Sequence, residues 1–146
     1  MRKIVYVLLL VLSPFIILMN ASCSKKEVKQ VSQESKISQE AFALADIIKK
    51  AFLKNDTVIL RNNSTEDGFK DITANKRLFD SVDINFTPRW VEIESDKIYV
   101  NIAWKSRWII SGRASEERGM AVFVMEGRPL KVSKILRANP FIFSEQ

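Results

Sequence analysis

DIIKKAFLKNDTVILRNNST, residues 46–65, decides the fold class. Leu44, Ile47, Ile48, Ala51 and Phe52 fall at i, i+3, i+4, i+7 and i+8, which predicts one apolar helical face. Ser38 is the expected N-cap of that helix, with Glu40 in the first turn where its charge suits the helix dipole. Asn55-Asp56 interrupts the pattern, and Asp56 is placed to cap a short second helix carrying Val58, Ile59 and Leu60. A polar loop is expected over Asn62 to Gly68. Thr73 is the expected cap of a third helix whose Leu78, Phe79 and Val82 face inward.

Beyond Asp83 the period changes from helical to alternating. Ile84 and Phe86 alternate before Pro88, Val91 and Ile93 alternate after it, and ESDK at Glu94 to Lys97 reads as a turn. Ile98, Val100, Ile102 and Trp104 share one face of a long strand whose other face holds Tyr99, Asn101, Ala103, Lys105 and Arg107. Ser111 to Arg118 is charged and reads as a loop. GMAVFVME at Gly119 to Glu126 is apolar on both faces, as a central strand requires. After a turn at Gly127-Arg128-Pro129, Leu130 and Val132 alternate and Ile135 breaks phase, which predicts a bulge near Ser133. Asn139-Pro140 ends the last strand, and Phe141 to Phe143 is expected to pack back on the core.

Helices followed by consecutive antiparallel strands predict an α+β domain with helices covering one face of a curved sheet. This order resembles the NTF2-like, cystatin-related fold over residues 38–146. DIIKKAFLKNDTVILRNNST resembles that fold's long first helix and short second helix. EGRPLKVSKI, at Glu126 to Ile135, resembles its last strand, with Leu130 where a tryptophan is common. The resemblance implies a conical chamber between helices and sheet, in which the family's enzymes place an Asp-His or Asp-Tyr pair.

The 146 residues are 47% hydrophobic and 27% charged, enough for one modest packed domain plus an appendage. The appendage is amino-terminal. Met1-Arg2-Lys3 is a positive start, Ile4 to Met19 is an uncharged apolar run, and the small residues Ala21 and Ser22 precede the only cysteine, Cys23. A helix of roughly 16 residues reaches about 24 Å, short of a ~30 Å hydrocarbon core, and Pro14 would disturb its middle. This pattern describes a signal peptide over residues 1–22. MNASC, Met19 to Cys23, resembles the lipobox of bacterial lipoprotein precursors, with Asn20 where an apolar residue is usual. The resemblance implies cleavage before Cys23, lipid on its thiol, and acyl chains such as palmitate that anchor the chain in the cell envelope. An uncleaved anchor helix and a plain secreted protein are the alternatives. Residues 23–37 then form the lipidated cysteine and a flexible tether, leaving 38–146 as the folded domain. Ser24 directly after the cysteine resembles an outer-membrane sorting signal.

The formal net charge is +6. No block of five or more basic residues occurs, so nucleic acid is not an expected partner. The chain has no histidine, which excludes Ser-His and Cys-His nucleophile pairs and histidine metal sites; one cysteine excludes internal disulfides and thiolate zinc sites. Neither metal nor cofactor is expected. Asp83, beside a helix end, and Glu92 and Glu94, opposite Val91 and Ile93, are the candidate catalytic carboxylates; solvated roles are favoured for all three.

WKSRW, Trp104 to Trp108, is the most unusual local feature. Trp104 and Trp108 could stack on a sugar, lipid or peptide while Lys105 and Arg107 meet anionic groups. The competing reading makes the tryptophans core and the cations solvated. The expectation is a lipid-anchored domain that binds or scaffolds an envelope protein, glycan or lipid and does not catalyse. An assembly subunit of secretion machinery and a pocket enzyme of the isomerase or dehydratase type are the alternatives.

Overall fold

The computed structural model describes residues 32–74 and 79–144. Residues 1–22, expected as a signal peptide, Cys23 and Leu78 lie outside the described residues. Helix α1 runs Gln33–Leu53 and is capped by Ser32, whose hydroxyl accepts from the Ser35 N–H at 3.2 Å. Ser38 is therefore inside the helix and is not its cap. The added turn is polar apart from Ile37, so it carries no hydrophobic period to betray it. The buried stripe is Ala41, Leu44, Ala45, Ile48, Ala51 and Phe52. Ile47, expected inside, lies at its margin and is exposed.

Asp56 caps α2 (Thr57–Asn62) as expected, its carboxylate accepting from the Ile59 N–H at 3.0 Å. Leu60 alone of its three apolar residues is buried. The expected loop after it is largely helix α3 (Glu66–Thr73), capped by the Thr65 hydroxyl. Thr73 ends this helix and does not begin another. Phe79 and Val82 still pack against the core, but Val82 does so from a strand.

Four antiparallel strands follow in spatial order β1-β2-β3-β4: Ser81–Glu94, Lys97–Ile110, Arg113–Glu126 and Lys131–Arg137. Pro88 does not end β1. The register shifts between Pro88 and Trp90, and the strand continues through Val91 and Ile93 to the expected turn at Ser95-Asp96. A proline is tolerated here because β1 is an edge strand with a bulge. Ile93, expected inside, is exposed near the hairpin end. Ser111 to Arg118, expected as loop, is mostly strand. Ser111 (φ 50°) and Gly112 (φ 74°) make a two-residue turn with both backbones left-handed, the geometry whose twist matches a tight hairpin. Ile110 then pairs with Arg113, and β3 stays in register with β2 along its length. The bulge predicted near Ser133 is present: Val124 pairs with Lys134 while Met125 pairs with Val132.

The inner sheet face carries Ile84, Ile98, Val100, Ile102, Trp104, Trp108, Ala121, Phe123, Met125, Val132 and Ile135, all buried. These meet the α1 stripe. The helical layer is fastened to β4 by backbone and side-chain bonds. Thr65 N–H donates to Val132 O at 2.9 Å, and Asp71 accepts from the Ile135 N–H at 3.0 Å. Asn139 donates to Asp71 O at 2.8 Å and accepts from the Phe141 N–H at 3.0 Å. This clip turns the chain inward after β4, so Phe141 is fully buried, as expected, with its ring 4.8 Å from that of Phe52.

Candidate functional site

Strand β2 sets the geometry of WKSRW. Alternation puts Trp104, Ser106 and Trp108 on the inner face and Lys105 and Arg107 on the outer face. Trp104 is 5% exposed and Trp108 2%. The Trp108 indole N–H donates to Ser106 Oγ at 2.9 Å, and the Trp104 indole N–H donates to Ala138 O at 2.9 Å. Both polar handles are therefore satisfied inside the protein, as buried indoles require. Tryptophans and cations do not form one surface.

Between α1 and the sheet the chain's own rings pack against one another. Phe79 lies edge-on to Trp108 at 5.2 Å, Phe86 to Phe123 at 5.7 Å and Phe141 to Phe123 at 6.1 Å. Phe143 closes on Trp108 at 5.8 Å. Offset and edge-to-face arrangements of this kind are favourable beyond their buried area.

On the outer face, Lys105 and Arg107 line a groove of about 450 Å³ with Asp83, Asn85, Glu116 and Arg118. Cross-strand register explains the mixture. Arg107 stands between Asp83 and Glu116, whereas Lys105 stands between Asn85 and Arg118. Like charges directly opposite one another, as at Lys105 and Arg118, are unfavourable. Asp83 lies in this groove within β1 and not at a helix end; it accepts from Asn85 at 3.0 Å. Glu92 also lies on the outer face, accepting from the Trp90 indole at 2.7 Å. Glu94 pairs with Lys97 at the hairpin end and is exposed. None of the three candidate carboxylates faces the chamber.

One acid among the described strand residues does stand on the inner face, and the sequence reading missed it. Glu117 pairs across from Ser106. Its Oε1 accepts from the Ser144 N–H at 2.9 Å, while Oε2 is buried with no hydrogen-bond partner. It borders a cleft of about 590 Å³ where β4 has ended and the carboxy-terminal segment crosses. The signal that could have found it is parity: counting back from Phe123 through Ala121 and Gly119 puts Glu117 on the same face. Among the described residues, no group of three His, Cys, Asp or Glu side chains could hold a metal ion, and no helix is long and apolar enough to cross a membrane.

No family model and no curated protein matches the chain. A solved structure does: a nuclear transport factor 2 (NTF2-like) superfamily protein from Salmonella enterica subsp. enterica serovar Typhimurium str. LT2. The two share 11% identity at a TM-score of 0.62, over 73% of this chain and 93% of that one. Identity so low speaks to architecture alone. Three helices against one four-stranded antiparallel sheet, in this order and register, are that architecture, and the chain has the NTF2-like fold.

Proposed function

We propose that the protein is a lipid-anchored component of the bacterial cell envelope whose NTF2-like domain binds a ligand or partner and does not catalyse. The observation that supports the non-catalytic part is that none of the acids named from the sequence, Asp83, Glu92 and Glu94, stands on the sheet face that meets the helices, where aromatic rings pack instead. Phe52, Phe79, Phe86, Trp108, Phe123, Phe141 and Phe143 occupy the space between helix and sheet. A catalytic carboxylate is activated by burial beside its substrate, and the acids named from the sequence point the other way. Binding chemistry is concentrated at the margins: the charged outer groove and the Glu117 cleft.

Support for the anchor comes from the sequence. A lone cysteine in an exported chain is an awkward free thiol, and thioether lipidation removes it. A single acyl chain holds a protein only marginally, whereas two or more anchor it stably. The proposed setting is the outer membrane, with an envelope protein, glycan or lipid as the partner and no nucleic acid.

Growth with radiolabelled palmitate, comparing wild type with Cys23→Ser, tests the anchor. The expected result is label and membrane fractionation that both disappear in the variant. An unlabelled wild type, or a variant that stays in the membrane pellet, refutes it. Intact mass of the extracted protein should match cleavage before Cys23 plus acyl groups.

A further inference from the structure

Lys105, Arg107 and Arg118 line the outer groove of about 450 Å³, and all three are exposed to solvent. The ion pairs among the described residues lie on α1 and α3 and involve none of these cations. Arg107 has Asp83 and Glu116 as its cross-strand neighbours, yet it forms an ion pair with neither. Lys105 and Arg118 stand directly opposite each other on β2 and β3. Residues so placed have Cβ atoms about 4.5–5.5 Å apart, close enough for like charges to repel. No acid in their row offsets them, because the β1 residue there is Asn85. Its amide is turned to Asp83 and donates to Oδ2 at 3.0 Å.

The Asn85-Lys105-Arg118 row thus carries two positive charges, and the Asp83-Arg107-Glu116 row beside it carries a net negative charge. One doubly charged anion between Lys105 and Arg118 would turn their repulsion into two attractions. The arginine supplies a fork of N–H donors that matches phosphate oxygens, and the lysine supplies a mobile point charge. A phosphate monoester carries close to two negative charges at neutral pH. A carboxylate carries one and would leave half of the positive charge uncovered. The acids of the next row, roughly 7 Å along the strands, limit what else the ligand can be. A polyanion extended in that direction would meet Asp83 and Glu116, and like charges brought together are costly.

We infer that the outer groove binds a ligand with a single phosphate monoester, held between Lys105 and Arg118. The inference deepens the reading of the domain as a binding module and rests on that reading, but not on the lipid anchor. Both cationic groups are open to solvent, so the phosphate reaches them without rearrangement of the core.

Glycerol 3-phosphate, dihexanoyl phosphatidic acid and glycerate are the probes. The first two present the same phosphate monoester, free in one and as a lipid head group in the other. The third has a carboxylate in its place. Binding is followed at low ionic strength by NMR shifts of the Lys105 and Arg118 amides, on the full chain with and without Cys23→Ser, so the result is independent of lipidation. The expected result is saturable shifts with glycerol 3-phosphate, clearly weaker binding of glycerate, and affinity reduced about tenfold by Lys105→Gln or Arg118→Gln. Both side chains are exposed, so the variants should fold. Glycerol 3-phosphate should also raise the urea midpoint of the wild type and leave that of the double variant unmoved. Tighter binding of the lipid form identifies a head group as the source of the phosphate, and equal or weaker binding identifies a soluble ester; both agree with the inference. Release of inorganic phosphate from a bound probe would leave the site standing and contradict the non-catalytic reading instead. No saturable shift with either phosphate probe, equal affinity for glycerate, or unchanged affinity in both glutamine variants overturns the inference.

Discussion

Gly68→Ala is a change that secondary-structure propensity and tertiary packing judge oppositely. Gly68 lies in the first turn of α3, and alanine should stabilise a helix there by up to about 1 kcal/mol relative to glycine. Here a Cβ would stand 2.8 Å from the Val132 carbonyl carbon, 3.2 Å from the Ser133 Cα, and closer still to the Val132 oxygen. All three atoms belong to the β4 backbone, so no rotamer relieves the clash. Helix α3 would have to retreat from β4 by roughly 1 Å to restore ordinary contact. That movement stretches the Thr65 N–H bond to Val132 O and the Ile135 N–H bond to Asp71, now 2.9 and 3.0 Å. Overpacking costs about 1–3 kcal/mol, and each weakened hydrogen bond about 0.5–1.5 kcal/mol. After the propensity gain is subtracted, the expected net loss is about 1–5 kcal/mol. Urea unfolding, followed by tryptophan fluorescence and far-ultraviolet circular dichroism together, measures it. The midpoint should fall with the slope unchanged. A variant as stable as wild type, or more stable, would refute the close approach of α3 to β4.

Two further outcomes are expected. Phe141→Ala empties a fully buried site ringed by Phe52, Phe86 and Phe123 and should cost about 3–5 kcal/mol in the same urea assay; a loss under about 1 kcal/mol would mean the carboxy-terminal segment does not close the core. Asp46 is held below its usual pKa by hydrogen bonds from Lys49 first and Lys50 second. A depressed carboxylate pKa stabilises the fold above its unfolded value and loses that effect as pH falls through the folded value. Asp46→Asn should therefore cost a few tenths of a kcal/mol near pH 7, because the carboxylate is partly exposed, and the deficit should vanish as the medium is acidified below the ordinary carboxylate range; a deficit that persists in acid would point to packing instead.

The layer order was legible because it rests on a change of period. The stripe through Leu44, Ile48 and Phe52 and the alternation from Ile98 to Trp104 are each long enough to define a face. The bulge at Ser133 was legible for the same reason, since Ile135 can reach the core only if one residue is skipped. What escaped had its cause elsewhere in the chain. Helix α3 hid because Gly68 argues against a helix, and the reason for that glycine is the backbone of β4. The first half of β3 hid because SEER is charged on both faces, while its strand state comes from pairing with β2. Missing that strand meant missing Glu117, whose face is set by the register. In WKSRW the alternation was plain, but only the helical layer shows which face is inside, and it makes both tryptophans core.

The Phe52–Phe141 contact joins an early part of the chain to one of the last. Neighbouring strands in the sheet are also neighbours in sequence, so each hairpin can close soon after it is made. The long helix packs on the short helix after it and on β1, but its Phe52 also needs a partner from far along the chain. In any process that releases this polypeptide amino terminus first, synthesis or secretion alike, the strands and the second helix can cover most of that helix's apolar side, but the part around Phe52 stays open until Phe141 arrives. A stalled or clipped product would thus fail at both ends together and present sticky surface to whatever chaperone or protease is near.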